Sequence, residues 1–253
     1  MGNDSAPIRD AATVVLLRDG ADGLETWLLT RVNEMVFAAG MTVFPGGRVD
    51  DADADLPFAG EGWAQLAARF GCDEMLARAL VGAAVRETFE ETGVLLTVPV
   101  VRLPHAREDV ESGRIGFGDL LREHRLTVDV DAVRAWTRWI TPPNEVRRYD
   151  TRFFVSALPA GAEAQDLTSE SSAASWVGVA DAVAQATTGE RLLLPPTMAT
   201  LTSLVPYARV ADVLAAAAAR SLDPVQPTMR FVGEHIIAEL PDGTSVTMPR
   251  TVS

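Results

Sequence analysis

The chain contains no lysine at all, so every one of its 22 basic side chains is an arginine. A lysine Schiff base and a Walker-type phosphate-binding lysine are both excluded. Cysteine is almost as scarce, with Cys72 alone, which forbids an intramolecular disulfide, argues against a cysteine zinc site and suits a reducing, cytoplasmic setting. The three histidines, His105, His124 and His235, are dispersed without ligand spacing, so none is expected to be catalytic. No apolar run approaches the roughly 18 residues that span a bilayer, and "MGNDSAPIRDAA" lacks a basic-then-apolar signal pattern. Neither a membrane partner nor export is expected. Positive charge is also outweighed: a net charge of -13 and a pI near 4.6 oppose a phosphate-backbone partner, so no nucleic acid is expected as a bulk ligand.

What the chain does have is ample core material, 47% hydrophobic residues in 253, enough for one large α/β domain. The runs "AATVVLLRD" and "LETWLLTRV" flank "GADG" and predict a β-hairpin. Glycine, proline and aspartate then crowd "NEMVFAAGMTVFPGGRVDDADADLP", a long ordered loop with a short strand at "MTVF". Trp63, Leu66, Ala67 and Phe70 have helical spacing closed by Gly71, and a second helix runs from about Asp73 to Thr92 with Gly93 as its stop. Strands are expected at "VLLTVPVV", "RWITPP", "YDTRFFVSALP" and "SSAASWVGV", and helices at "FGDLLREHR", "VDAVRAW" and "ADAVAQATTGE". Trp136 and Trp139 are assigned to the core. The tail begins with an alanine-rich helical stretch and closes with strand-like "HIIAEL" and "SVTMP" around "PDG".

One stretch stands against this ordinary background. In "AVRETFEETGV" the residues Glu87, Glu90 and Glu91 share a helix face within an arc of about 100°. Like charges at this spacing destabilise a helix by a few tenths of a kcal/mol per pair. These acids also lie at the helix C-terminus, where the macrodipole disfavours negative charge by roughly 0.3–1 kcal/mol each. A solvated acidic face would carry its acids at the other end. Carboxylates clustered without histidine or cysteine form a hard-oxygen site suited to Mg²⁺ or Mn²⁺, and "FPGG" supplies a glycine pair through which backbone can approach a ligand. Such ions commonly bridge a diphosphate to protein and orient a water for attack on phosphorus.

"GG" followed by "RETFEETGV" resembles the signature of the Nudix hydrolases, with Thr88 at a position usually apolar. The resemblance implies a Nudix-like α/β/α sandwich with a mixed sheet, covering residues 1–205, with 206–253 as an extension packed on the same domain. It implies that Glu87, Glu90 and Glu91 are metal ligands, that Arg86 holds the cluster by ion pairing, and that the Gly46 carbonyl is a further ligand. Gly47 would open the signature. Between Gly47 and Arg86 lie 38 residues, well beyond the usual spacing, so 48–85 carry an insertion that includes the helix at Trp63–Phe70. The signature's first glutamate has three candidate counterparts: Asp53 by counting forward, Arg78 by counting back, and Glu74. A long insertion here, with "FPGGRVDDAD", "RWITPPNEVRRYDTRFFV" and "LLLPPTMATL", is similar to a branch that includes peroxisomal coenzyme A diphosphatases. The implied substrate is a small nucleoside diphosphate derivative, coenzyme A or an acyl-CoA first, giving 3′,5′-ADP and phosphopantetheine. ADP-ribose or another sugar nucleotide is the alternative, and a ligand sensor without turnover is a rival of another class. The resemblance also allows a homodimer.

Further candidates lie outside the signature. Glu170 in "TSESSAASW" has the placement of an additional acid, a metal ligand or general base, with Glu163 and Glu145 as alternatives. Arg31, Arg147 and Arg148 are candidates for phosphate contact, because a guanidinium fork matches phosphate oxygens.

Overall fold

A computed structural model describes residues 6–31, 40–143, 145–166 and 171–249. Chain order is β1 (Ile8–Gly20), β2 (Gly23–Arg31), β3 (Thr42–Val43), β4 (Gly46–Arg48), a 3-10 turn at Asp51–Asp55, β5 (Phe58–Ala59), α1 (Trp63–Phe70) and α2 (Glu74–Thr92). It continues through β6 (Thr97–Val98), α3 (Arg107–Glu111), α4 (Phe117–Glu123), β7 (Thr127–Asp129), β8 (Arg134–Ile140), β9 (Arg148–Ala157), β10 (Ser171–Gly178) and α5 (Val179–Thr187). Last come α6 (Pro195–Leu204), α7 (Val210–Ala217), β11 (Pro224–Val225), β12 (Thr228–Val232), β13 (His235–Glu239) and β14 (Ser245–Pro249).

The main sheet runs β10-β2-β1-β9-β8-β11, with β3 beside β2 and β4 beside β1. Its mixed character comes from parallel pairing of β1 with β9, while β1–β2 and β8–β9 are antiparallel. The apolar run in β1 reflects burial on both faces. Val14 and Leu16 face α2 with Leu80, Ala84 and Phe89, whereas Val15 and Leu17 face α5, α6 and α7 with Ala182, Leu201 and Val213. Period-two alternation thus serves two cores, and the three layers form an α/β/α sandwich. Among the described residues no helix is long and apolar enough to cross a membrane.

Two expected elements differ. "VDAVRAW" is helical only as a 3-10 turn at Val130–Ala132; the remainder belongs to β8, because Arg134–Ile140 pairs with β9. A register shift between Ala135 and Thr137 lets Trp136 join Trp139 in the same core, although strand residues three apart normally face opposite ways. "VLLTVPVV" pairs only at Thr97–Val98, while Val94, Leu95 and Leu96 are buried beneath α2 as irregular backbone. The stretch expected to be an insertion packs on the first core: Phe70 at the end of α1 is fully buried there, and β5 joins β7 and β6 in a small sheet. The extension is anchored by β11 on β8 and by Met248 of β14 in the second core.

Candidate active site

The acid cluster sits where the last turns of α2 meet β4. Gly82 lets α2 close on the 3-10 turn, since a side chain there would overlap the Asp53 carbonyl. That contact brings Arg86, one turn further along α2, against Asp53. The Arg86 guanidinium donates to both Asp53 oxygens, Nε to Oδ1 at 2.8 Å and Nη2 to Oδ2 at 3.0 Å, in a bidentate fork. Its Nη2 also donates to the Arg48 carbonyl at 2.9 Å, and its Nη1 reaches Glu87 at 2.9 Å and Glu90 at 3.2 Å. Asp53, only 1% exposed, accepts the Asp50 backbone N–H as well. The forward count therefore locates the acid that orients the arginine. Arg78 instead stacks on Phe58 and Trp63, and Glu74 is exposed on the first turn of α2.

Glu91 turns to the glycine loop, where its Oε2 accepts the Gly46 N–H at 2.9 Å. Gly47 packs so closely on Glu87 that a Cβ would overlap the carboxylate. Burial raises the Glu87 carboxyl above its usual range, opposed by Arg86 and reinforced by Asp53 and Asp50. Burial is also the main reason that Glu90 rises to about 7, with Glu87 adding to it and Arg86 opposing. These are crowded, poorly hydrated acids whose negative charge lacks full compensation. Among the described residues no three acids stand together as a metal cage; Arg86 engages Glu87 and Glu90, and the Gly46 N–H engages Glu91. The donor chemistry nonetheless fits a divalent cation, being all carboxylate beside a backbone loop.

Arg107 had no sequence signal: it is a buried arginine from α3 that donates to the Glu90 carbonyl at 2.7 Å and pairs with Glu111 at 2.9 Å. A cation at a helix C-terminus offsets the macrodipole that the glutamates oppose. Thr88, the departure from the apolar pattern, is fully buried and its hydroxyl donates to the Ala84 carbonyl at 2.7 Å. Its polarity is thereby satisfied within the helix.

A cavity of about 310 Å³ opens beside the glycine loop. Its lining includes Gly46, Phe44, Val43, Thr13 and Arg31, with Trp139 to Pro142, Glu145, Tyr149 and Thr151. Phe153, Leu194, the start of α6 at Pro195 to Thr197, and the extension residues Pro227 and Met229 also line it. Of the three candidate arginines, Arg31 faces this space. Arg148 is buried and donates to the Thr141 carbonyl at 3.2 Å, closing the β8–β9 turn, and Arg147 is exposed on that turn. Glu163 pairs with Arg102 at the surface, and Glu170 lies outside the described residues. The three histidines are exposed, Cys72 packs against the first core, and none of the four lines the cavity.

An acid-bearing helix end held against a glycine loop, on a mixed sheet between two helical layers, defines a Nudix hydrolase. More narrowly, the chain belongs to the family described as the NUDT19 Nudix domain, whose model matches residues 73–204. It is 26% identical over 270 residues to the acyl-coenzyme A diphosphatase NUDT19 of Xenopus laevis, covering 89% of this chain and 70% of that protein. The protein of the same description from Gallus gallus is 28% identical over 281 residues, covering 85% of this chain and 72% of the relative. Among solved structures, a NUDIX hydrolase from Alicyclobacillus acidocaldarius superposes with a TM-score of 0.71 at 29% identity, covering 87% of this chain and 99% of its own. Nudix hydrolases generally use divalent metal ions.

Proposed function

We propose that the protein hydrolyses the diphosphate linkage of coenzyme A or an acyl-CoA, with Mg²⁺ or Mn²⁺, to 3′,5′-ADP and the phosphopantetheine product. The observation that carries this reading is the double role of Gly46, which donates its N–H to Glu91 and also lines the cavity. Acid cluster and substrate space share one loop. The acyl-coenzyme A diphosphatase relatives support the choice of substrate.

Glu87, Glu90 and Glu91 would hold the cation, with the Gly46 carbonyl beside them and Glu170 as an outer acid. A cation held there would supply charge neutralisation for the diphosphate and a lowered pKa for an attacking water. Arg86 fixes the rotamers of Glu87 and Glu90, while Asp53 fixes Arg86. Arg31 offers its guanidinium to phosphate oxygen from the cavity side. In the reaction, water oxygen forms a bond to one phosphorus, the bridging P–O bond breaks with its oxygen leaving on the other phosphate monoester, and the water proton passes to a base, for which Glu170 is the candidate by its sequence placement. The lone cysteine supports a reducing, cytoplasmic setting.

The test is hydrolysis of CoA, acyl-CoA, ADP-ribose, NADH and dinucleoside polyphosphates with each metal, with products identified by mass. Metal-dependent release of 3′,5′-ADP from the CoA compounds is expected. Release of AMP from ADP-ribose alone would overturn the choice of substrate.

A further inference from the structure

The family match ends at residue 204, yet the cavity does not. The chain returns after α7, where β11 pairs in parallel with Arg138–Trp139 of β8. This pairing brings Pro227, which is buried, and Met229, which is half-buried, onto the wall of the cavity that Gly46 also lines. Downstream, β12 pairs with β13 and β13 with β14, and Met248 of β14 is buried in the second core. The wall is therefore held at both ends by packed structure.

The chemistry of the lining selects its occupant. Its described residues include one cation, Arg31, and one anion, Glu145, so their charges offset. A phosphorylated nucleoside would need several cationic or N–H donors to replace its hydration. The rest of the wall is mostly apolar, with Trp139, Phe44, Met229 and a group of prolines. A volume of about 310 Å³ lies at the lower end of the roughly 300–1,000 Å³ of small-molecule pockets. That suits one arm of a large diphosphate. Methionine at the rim suits a chain of variable shape, being unbranched and polarizable.

We propose that the C-terminal extension forms part of the substrate site, with Pro227 and Met229 closing the cavity around the uncharged, acyl-bearing arm of the substrate and Met229 setting the chain bulk accepted. The nucleotide half then lies on the solvent side of the glutamates. This inference rests on the diphosphatase reading above and adds to it a specificity-determining residue outside the matched domain.

The experiment compares kcat/KM for CoA, acetyl-CoA and decanoyl-CoA in the full chain, in Met229→Trp and in Met229→Ala, with ADP-ribose as a further substrate. Filling the cavity with Trp should lower the decanoyl-CoA to CoA ratio about tenfold, the scale on which apolar pockets discriminate by size. Truncation to Ala should shift the same ratio in the direction of still bulkier chains. Circular dichroism establishes that each variant is folded, and Met229→Ala keeps the comparison open if the Trp variant is not. A ratio unchanged in a folded variant, while CoA is still cleaved, overturns the role of Met229 alone. Cleavage of ADP-ribose with no CoA compound cleaved by the unmodified protein overturns the substrate reading and this inference with it.

Discussion

The acid cluster and the cavity touch at Gly46 but are built on opposite principles. Four acids and one arginine make the cluster, held by charge-assisted hydrogen bonds across α2, β4 and the 3-10 turn. Apolar side chains from β3, β8, the start of α6 and the extension make the cavity, held by packing. In the first region each partner's charge depends on its neighbours, so a single substitution propagates. In the second, contacts are many and individually weak, so a substitution changes fit and leaves the rest standing. On the proposed reading, chemistry common to the family belongs to the first region and choice of substrate to the second.

The largest effect is expected where that distinction is sharpest. Glu91→Gln should lower kcat by about 10³-fold, the scale on which a preorganised electrostatic contact acts, without loss of folding, since the Gln amide oxygen still accepts the Gly46 N–H. Full activity of the folded variant on every diphosphate tested would sink the metal-ligand role. Asp53→Ala should lose about 1.5–3 kcal/mol of stability in urea denaturation, because it strips two charge-assisted hydrogen bonds from a largely buried arginine that keeps Glu87 and Glu90 as partners. Its rate should fall too, through misdirected Glu87 and Glu90. A loss below about 1 kcal/mol would mean that Arg86 does not organise the cluster. Gly82→Val comes next, at about 1–3 kcal/mol, since the added carbons meet the Asp53 carbonyl in a packed contact. If thermal unfolding is unchanged, the close approach of α2 to the turn is not what sets the site.

The sequence was legible in proportion to how local each feature is. Glu87, Glu90, Glu91 and Arg86 lie within six positions of one helix, so periodicity alone places them together. Asp53 was one of three candidates, and only its 3-10 turn, folded onto Gly82, singles it out. Arg107 carries no signal because its partner, the Glu90 carbonyl, is backbone brought near by α3. The strand identity of Arg134–Ile140 arises from pairing with β9, a tertiary contact that overrides local helical preference. The cavity is the extreme case: Thr13 and Met229 share it from nearly opposite ends of the chain. Proline pairs and a lone methionine announce nothing until packing puts them on one wall.

The three arginines proposed for phosphate contact sharpen the comparison from the weaker side. Each carries the same fork, so differences among them must come from position. Arg31 lines the cavity beside Gly46, and its replacement by Ala should raise KM about tenfold, corresponding to about 1.4 kcal/mol of lost binding. Arg148 spends Nε and Nη2 on the Thr141 carbonyl, so Arg148→Ala should cost about 1–3 kcal/mol of stability with a smaller change in KM. Arg147 is exposed on the β8–β9 turn, and Arg147→Ala should leave KM within about twofold, as surface substitutions usually do. Steady-state kinetics and thermal melts on all three variants separate binding from scaffold. If Arg147→Ala raises KM as much as Arg31→Ala, the diphosphate extends past the turn, and the charged region of the site is larger than the glutamate cluster and Arg31.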